Sequence, residues 1–267
     1  MTAPSSHEHD IERPAIEFDH ASFRLNGRAL LQDLVLSVKQ GETLVLLGRS
    51  GSGKTTTLKL INRLLLPTAG DVLVNGRRTA EWDPIRLRRG IGYVIQDGGL
   101  FPHFTVERNI ALVPRIENWP QARIEARVRE LLATVGLKED LASRYPSQLS
   151  GGQRQRVGVA RALAADPPIL ILDEAFGALD PITRSEMQKE FRALQQRMRK
   201  TVIFVTHDLR EALLLADRIA LMEAGRLVVD LPIGEFLRSN DPLVRAYMEA
   251  FSALPDSVMV PGNRDPK

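Results

Sequence analysis

The chain has 267 residues, 43% of them hydrophobic, which suits one large α/β domain with a buried core. It contains no cysteine, which excludes disulfides, thiolate metal sites and thiol nucleophiles. No apolar run approaches the roughly 18 residues that a membrane span needs, and from the polar start we expect no signal peptide. The 36 basic and 33 acidic residues are interspersed, which favours solvated helix faces over a patch that binds nucleic acid.

The first hundred residues are predicted to form mostly short strands. Residues 1–14 are polar and are predicted to be a disordered tail. The pair Asn26-Gly27 is typical of a tight hairpin turn, and Asp33 is expected to interrupt the strand that follows. The predicted elements are antiparallel strands between Ile16 and Val38, a buried strand over 43–47, a helix over 54–66, a hairpin at 72–76 and a strand over 91–95.

Helical periodicity dominates after Val106 and predicts an insertion of helices. Strands then resume and alternate with helices, which predicts a mainly parallel sheet covered by helices. Residues 252–267 are rich in Pro, Gly and Asp and are predicted to be a loose tail. The predicted elements are helices over 121–135, 153–164, 184–198 and 242–251, strands over 169–172 and 202–205, and a hairpin at 225–228.

A glycine-rich segment, Gly48–Thr55, follows a predicted strand and opens a predicted helix, the context that a phosphate-binding loop requires. Glycines let consecutive backbone N–H groups converge on phosphate oxygens, and the helix start adds a favourable field. We expect Lys54 to reach the β- and γ-phosphates and the Thr55 hydroxyl to bind Mg²⁺. The candidate nucleotide-binding residues here are Gly48, Arg49, Ser50, Gly51, Ser52, Gly53, Lys54, Thr55 and Thr56.

Two carboxylates, Asp173 and Glu174, end a predicted buried strand, where open α/β sheets bind ligands. Asp173 is suited to hold Mg²⁺, directly or through a bound water. Glu174 is suited to act as the general base that polarises the attacking water. The alternative is a pair of exposed acids without a chemical role.

The segment Leu149–Gln153, LSGGQ in one-letter code, lies between these two motifs. In this order the motifs make the chain resemble the ABC-type ATPases. The resemblance implies a P-loop NTPase (RecA-like) α/β core with an antiparallel β subdomain and an inserted α-helical subdomain. It covers nearly all of residues 16–230 and implies an ATPase domain over 15–251, with the helical subdomain at about 97–165.

The same resemblance assigns roles to two further residues. It implies that His207 contacts the γ-phosphate and helps Glu174 to hold the water. It also implies that Gln96 binds Mg²⁺ and relays the nucleotide state to the helical subdomain. Without the family, a lone histidine or a glutamine at a strand end would indicate little.

The resemblance further implies that the site is shared between two copies of the chain. Ser150, Gly151, Gly152 and Gln153 would cap the γ-phosphate held by the opposite copy. Asp180 matches the loop that crosses between the two sites. The implied unit is a head-to-tail dimer that binds ATP and Mg²⁺ in two composite sites.

Leu25 departs from the family pattern, which usually has an adenine-stacking aromatic residue at this position. Because stacking of a base on an aromatic side chain contributes roughly 1–3 kcal/mol, we expect weaker or less base-selective ATP binding. Phe23, two residues earlier, is either a substitute ring or part of the core. Ala175, where proline commonly follows the glutamate, is expected to matter little.

Within the family, the segments 92–96 and 99–110 look like those of the glycine betaine, choline and carnitine importer ATPases. This implies an ATPase at the cytoplasmic face of the inner membrane, working with a permease and an external solute-binding protein. Segment 97–109 would receive a coupling helix of the permease. Phe101, His103 and Phe104 either make that contact or pack internally.

Three alternatives stay open. The chain could serve another importer branch or lipid trafficking. A non-transport ABC protein is a remote alternative, because no long coiled coil or second cassette is present.

Many quaternary-amine ATPases carry C-terminal CBS domains, and we expect none after Phe251. The motifs do not identify the transported solute.

Overall fold

The computed structural model describes residues 13–252, apart from the side chains of Gln96, Asp97 and Ser252. Almost all of the two predicted tails, 1–14 and 252–267, therefore lies outside the described residues. The strands are β1 (Ile16–Leu25), β2 (Arg28–Val38), β3 (Thr43–Leu47), β4 (Ala69–Val74), β5 (Arg77–Arg78), β6 (Ile91–Val94), β7 (Ile169–Asp173), β8 (Thr201–Thr206), β9 (Arg218–Glu223) and β10 (Arg226–Pro232). The α-helices are α1 (Lys54–Ile61), α2 (Pro84–Arg89), α3 (Val106–Ile110), α4 (Leu112–Ile116), α5 (Gln121–Thr134), α6 (Gly151–Leu163), α7 (Pro181–Met198), α8 (Leu209–Leu215), α9 (Ile233–Phe236) and α10 (Pro242–Ser252).

A six-stranded sheet in the order β10-β9-β3-β8-β7-β6 forms the centre. Its strands pair in parallel except for the edge strand β10, which confirms the predicted, mainly parallel sheet. The inner strands β3 and β8 are buried along their whole length, because helices cover one face of the sheet and the antiparallel strands together with α1 cover the other. In the register of the sheet Leu47 lies opposite Thr206, and Asp173 lies opposite Val205. The carboxyl ends of β3, β7 and β8 therefore meet at one edge.

A second, antiparallel sheet has the order β2-β1-β4-β5. Asn26 and Gly27 both have positive φ, 50° and 78°, which confirms the predicted tight turn between β1 and β2. The prediction that Asp33 interrupts the following strand is wrong. Asp33 adopts a φ of 49° inside a continuous β2, where the register with β1 shifts, so it forms a bulge and not a break.

The predicted helix over 54–66 is too long, because α1 ends at Ile61. Arg63 is left-handed, with a φ of 54°, and the N–H groups of Leu64 and Leu65 both donate to the Lys59 carbonyl. The Asn62 side chain also accepts a hydrogen bond from the Leu64 N–H. These bonds satisfy the last turn, so the chain leaves the helix before Pro67.

Two other helices begin earlier than predicted. Helix α6 begins at Gly151 because Ser150 and Gln153 form a reciprocal capping box. Helix α7 begins at Pro181, since Asp180 caps it and proline suits the first helical position. Both starts are therefore fixed by residues that the sequence analysis also assigned to a nucleotide site.

The residues between β6 and β7 form helices α3 to α6, as the change in periodicity predicts. Apolar side chains of α5 and α6 pack together and continue the core beneath the parallel sheet, including Ile124, Val128, Val157 and Leu163. Within residues 13–252, no helix combines the length and apolar character needed to cross a membrane.

Candidate nucleotide-binding site

The loop between β3 and α1 lies at the carboxyl edge of the parallel sheet and folds around its own lysine. Gly53 caps α1 with a φ of 105°, a conformation that side chains disfavour, and a Cβ there would lie 3.0 Å from the Leu30 carbonyl oxygen. The Lys54 ammonium donates to the carbonyl oxygens of Gly48 at 2.7 Å and Arg49 at 2.9 Å. A Cβ on Gly51 would meet no atom within 4 Å. The loop therefore has the form of a cradle that is open at Gly51.

Lys54 is almost fully buried, and its ammonium lies inside the loop, where it bonds to two carbonyl oxygens. Burial lowers the pKa of Lys54, while the nearby charges of Glu174 and Asp173 raise it. A partly desolvated cation gains more from an anionic ligand than an exposed lysine does, because water screens it less. The position therefore suits the phosphate contact that the sequence predicts for Lys54.

Asp173 ends β7 close to this cradle and has two hydroxyl partners. The Thr55 hydroxyl lies 3.5 Å from its Oδ1, and the Tyr93 hydroxyl donates to its Oδ2 at 3.2 Å. Burial raises the pKa of Asp173, and the Tyr93 hydrogen bond opposes that shift. Burial and the adjacent carboxylate raise the pKa of Tyr93, so its hydroxyl stays a donor. A carboxylate and a hydroxyl this close provide the oxygen ligands that Mg²⁺ prefers, so the residues fit that ion.

Glu174 and His207 lie side by side at the same edge. The Glu174 Oε2 is 3.5 Å from His207 Nδ1. Glu174 has a φ of 46°, and its N–H donates to the Val205 carbonyl at 3.0 Å, which turns its carboxylate toward the end of β8. The side chain of Glu174 is 33% exposed and that of His207 is 62% exposed, so both are accessible to a ligand.

An open cavity of about 740 Å³ connects these groups. Arg49, Ser50, Glu174 and His207 line one side, and helix α10 lines the other with residues such as Tyr247. Sequence analysis did not place α10 at the site, since its position depends on long-range packing. The cavity is large enough for part of a nucleotide and borders both the loop and the carboxylate.

The predicted second half of the site lies at the starts of α6 and α7. Ser150 Oγ accepts from the Gln153 N–H at 3.2 Å, and Gln153 Oε1 accepts from the Ser150 N–H at 3.0 Å. A Cβ on Gly152 would lie 2.6 Å from Thr183 Cγ2, so only glycine allows the two helix starts to approach this closely. Asp180 accepts from the Thr183 N–H at 3.1 Å, and these cap bonds lower the pKa of Asp180. The two starts thus form one surface.

This surface does not contribute to the cavity at the phosphate loop within its own chain. In the part of the chain that the structure describes, no residue of 150–153 lines that cavity, and neither does Asp180. Ser150, Gly151 and Asp180 are instead exposed. One copy therefore brings together Lys54, Thr55, Asp173, Glu174 and His207 but leaves the LSGGQ segment apart from them.

Three other predicted positions have different outcomes. Leu25 is 53% exposed at the end of β1, where it could lie against a base. Phe23 is 7% exposed and packs in the core, so it offers no substitute ring. The side chain of Gln96 lies outside the described residues, and its backbone begins a short 3₁₀ turn over Gln96–Gly99.

The aromatic segment after this turn is held by a residue that sequence analysis missed. Asn109 is fully buried; its amide donates to the carbonyls of Phe104 and Thr105 and its oxygen accepts from the Phe101 N–H. Phe101 and His103 pack against Phe104 and remain exposed at the surface. The segment therefore has both internal packing and an exposed aromatic face. A polar residue inside an apolar helical pattern was the signal for Asn109.

A family model described as ABC transporter matches residues 31–177, more than half of the chain. The chain belongs to the ABC transporter family. One relative in that family is the ATP-binding protein for glycine betaine, carnitine and choline transport of Bacillus subtilis. It is 50% identical over 213 residues, which are 80% of this chain and 56% of the relative.

A second relative is the ATP-binding protein of the glycine betaine uptake system of Escherichia coli. It is 49% identical over 87% of this chain and 76% of the relative. The chain spans about half the length of several curated relatives that it matches.

The architecture is that of solved ABC ATPase cassettes. One of them, an ATP-binding cassette solved as a dimer in a post-hydrolysis state with ADP and Pi, is 32% identical to this chain. It superimposes with a TM-score of 0.73 and covers 82% of this chain and 98% of its own. The chain therefore has the P-loop NTPase fold predicted from its sequence.

Proposed function

We propose that this chain is the ATP-hydrolysing subunit of an importer for a quaternary amine osmoprotectant such as glycine betaine or choline. The observation that carries the proposal is the cluster at one sheet edge, where Lys54 and Asp173 flank a glutamate that is 3.5 Å from His207. The cargo class is supported by relatives that are named for glycine betaine, carnitine and choline transport.

The phosphate loop binds the nucleotide. Backbone N–H groups of Gly48–Gly53 and the Lys54 ammonium hold its phosphates. The N–H dipoles and the ammonium charge converge on the same loop, so both attract the phosphate oxygens. Thr55 and Asp173, together with Gln96, hold Mg²⁺. When bound, ATP supplies the phosphoryl group and Mg²⁺ neutralises charge on its oxygens. Leu25 covers the base through apolar contact alone.

Glu174 acts on the attacking water. Its partly exposed carboxylate faces the cavity, where it accepts the proton of the water as a general base. His207, 3.5 Å away, orients the carboxylate and the water by hydrogen bonding. Because phosphoryl transfer depends mainly on positioning, a shift of this pair by a fraction of an ångström slows the reaction.

The working form is a head-to-tail dimer of two copies. Ser150–Gln153 of one copy caps the phosphates bound by the other, through N–H groups at the helix start such as those of Gly151 and Gly152. Asp180 borders the same surface and reaches the opposite site. The exposed position of both segments, apart from their own phosphate loop, supports this arrangement.

The dimer drives a membrane permease that receives its solute from an external binding protein. The exposed face of Phe101 and His103 contacts a coupling helix of the permease, since the internal bonds of Asn109 keep it rigid. The subunit is therefore held at the cytoplasmic face of the membrane through its partner. No part of this cycle requires nucleic acid.

Uptake of labelled glycine betaine and choline by the native cell, with other importers of these solutes deleted, tests the proposal. We expect Lys54→Ala to abolish uptake and ATP hydrolysis. The matched control is Lys59→Ala, which removes an exposed lysine from the same helix. Normal uptake of both solutes with Lys54→Ala would contradict the cargo assignment. Normal hydrolysis by the purified variant would remove Lys54 from the ATP site, and a native chain that does not hydrolyse ATP would contradict the ATPase assignment.

A further inference from the structure

A buried carboxylate next to the site has no role in the steps above. Glu211, on α8, is 3% exposed, and within residues 13–252 it makes no ion pair. Its Oε1 accepts from the Gln188 amide at 2.9 Å, and its Oε2 accepts from the Thr206 hydroxyl. Burial raises the pKa of Glu211, which shows that the fold makes the charged form less favourable. The charge of Arg184 opposes this shift in part. A buried acid without a direct ion pair is costly, so we expect Glu211 to have a function.

The hydrogen bonds of Glu211 lead to the turn that carries His207. Thr206 also accepts from the Asp208 N–H at 2.9 Å, so its single hydroxyl group has both a donor and an acceptor partner. Thr206 and Asp208 are the two neighbours of His207 in the chain. The Asp208 carboxylate in turn accepts from the Arg210 N–H at 2.7 Å. The turn that carries His207 is therefore held on both sides.

At its other end, the series of hydrogen bonds reaches Gln188 on α7. Arg184 lies one helical turn before Gln188, and its guanidinium donates to the carbonyls of Phe176, Gly177 and Leu179. These residues belong to the segment that follows Glu174. Helix α7 thus holds the segment after Glu174 through Arg184 and the turn at His207 through Gln188.

We infer that the buried Gln188–Glu211–Thr206 network positions His207 against Glu174 for hydrolysis. The inference rests on the proposed function, because it assigns the network to that reaction. The three side chains are 8%, 3% and 1% exposed, so solvent does not compete for their hydrogen bonds. They are positioning residues, since none of them lines the cavity where a nucleotide would react.

Two single variants break the network in different ways. Gln188→Leu removes the donor without adding charge, and Gln188→Glu places a second carboxylate against Glu211. We expect each to lower kcat for MgATP about tenfold and to leave KM within about twofold, because the phosphate loop is untouched. Gln196→Glu makes the same change at an exposed position of α7 and is the matched control.

The swapped double variant Gln188→Glu with Glu211→Gln is the decisive arm. The amide and the carboxylate exchange places, so both hydrogen bonds can re-form and the net charge stays that of the native chain. We expect kcat to return to within about threefold of the native value. A swapped variant that folds normally and stays as slow as Gln188→Glu overturns the inference, as does a native kcat in both single variants.

The His207 signal in a spectrum of the ¹³C-histidine-labelled full chain, assigned with His207→Asn, gives a readout without hydrolysis. We expect the signal to shift in Gln188→Leu and to return in the swapped variant. If Gln188→Leu does not fold, Gln188→Asn keeps the amide but shortens its reach. A native chain that does not hydrolyse ATP refutes the proposed function, whereas an unmoved His207 signal refutes the positioning network.

Discussion

At the carboxyl edge of the parallel sheet, Lys54, Asp173 and Glu174 lie close together, and each has partners from its own chain. At the starts of α6 and α7, Ser150 and Asp180 only cap their own helices and are exposed. The first region is complete within one copy, and the second has no target there. Under the proposed function, a single chain is expected to bind the nucleotide, whereas hydrolysis is expected to need two.

The largest effect is expected from breaking the first region. Lys54→Ala removes the ammonium that bonds to the loop carbonyls and that we propose holds the phosphates. We expect the affinity for MgATP to fall about 100-fold, since hydrogen bonds to charged groups are among the stronger ones. Titration calorimetry of the purified chain measures this, with Lys59→Ala as the control. Unchanged affinity would remove Lys54 from the nucleotide site.

Glu174→Gln separates binding from chemistry within the same region. We expect native affinity for ATP, kcat lower by roughly 10²–10⁴-fold because the base is lost, and a dimer that persists with ATP. Steady-state hydrolysis and light scattering provide the two readouts. Turnover near the native rate would show that another group activates the water.

The second region can be broken without touching the first. Ser150→Arg places a large side chain at the exposed start of α6, so it should prevent a second copy from closing. We expect ATP affinity of the monomer to stay within about twofold and hydrolysis to fall about 100-fold. A variant that loses affinity and hydrolysis together would show that the two regions are not independent.

A smaller effect concerns the base. Leu25→Tyr adds a ring at an exposed position where adenine stacking is expected, with no partner in the core to lose. We expect ATP to bind about tenfold tighter and to be favoured more strongly over other nucleoside triphosphates. Equal affinities of the native chain and the variant in calorimetry would mean that residue 25 does not contact the base.

Sequence predicted those parts of the fold and site that depend on local patterns. The buried strands β3 and β8 are uninterrupted apolar runs, and the parallel sheet brings their ends together. Lys54 and Asp173 could therefore be assigned to one site from their own motifs, whereas the role of His207 followed from the resemblance to the family. The antiparallel hairpin at Asn26-Gly27 followed from turn chemistry alone.

Other features depend on packing between distant segments and were not predictable. The Tyr93 bond to Asp173 requires the register of β6 on β7, and the Gln188 bond to Glu211 crosses 23 residues. The early end of α1 depends on a left-handed Arg63 that no pattern specified. Helix α10 lines the cavity because of tertiary packing, which the local sequence does not encode. The roles of the predicted site residues stay predictions until variants are measured.

Cross-linking tests most directly whether the two regions meet between copies. Because the chain has no cysteine, Ser50→Cys in one preparation and Ser150→Cys in another each add a single thiol. Both carry Glu174→Gln, are mixed with MgATP and are treated with a short bifunctional maleimide. The account predicts a cross-linked species of twice the chain mass that forms with ATP and not without nucleotide. Absence of that species, or equal amounts with and without ATP, would contradict a nucleotide site shared between two copies.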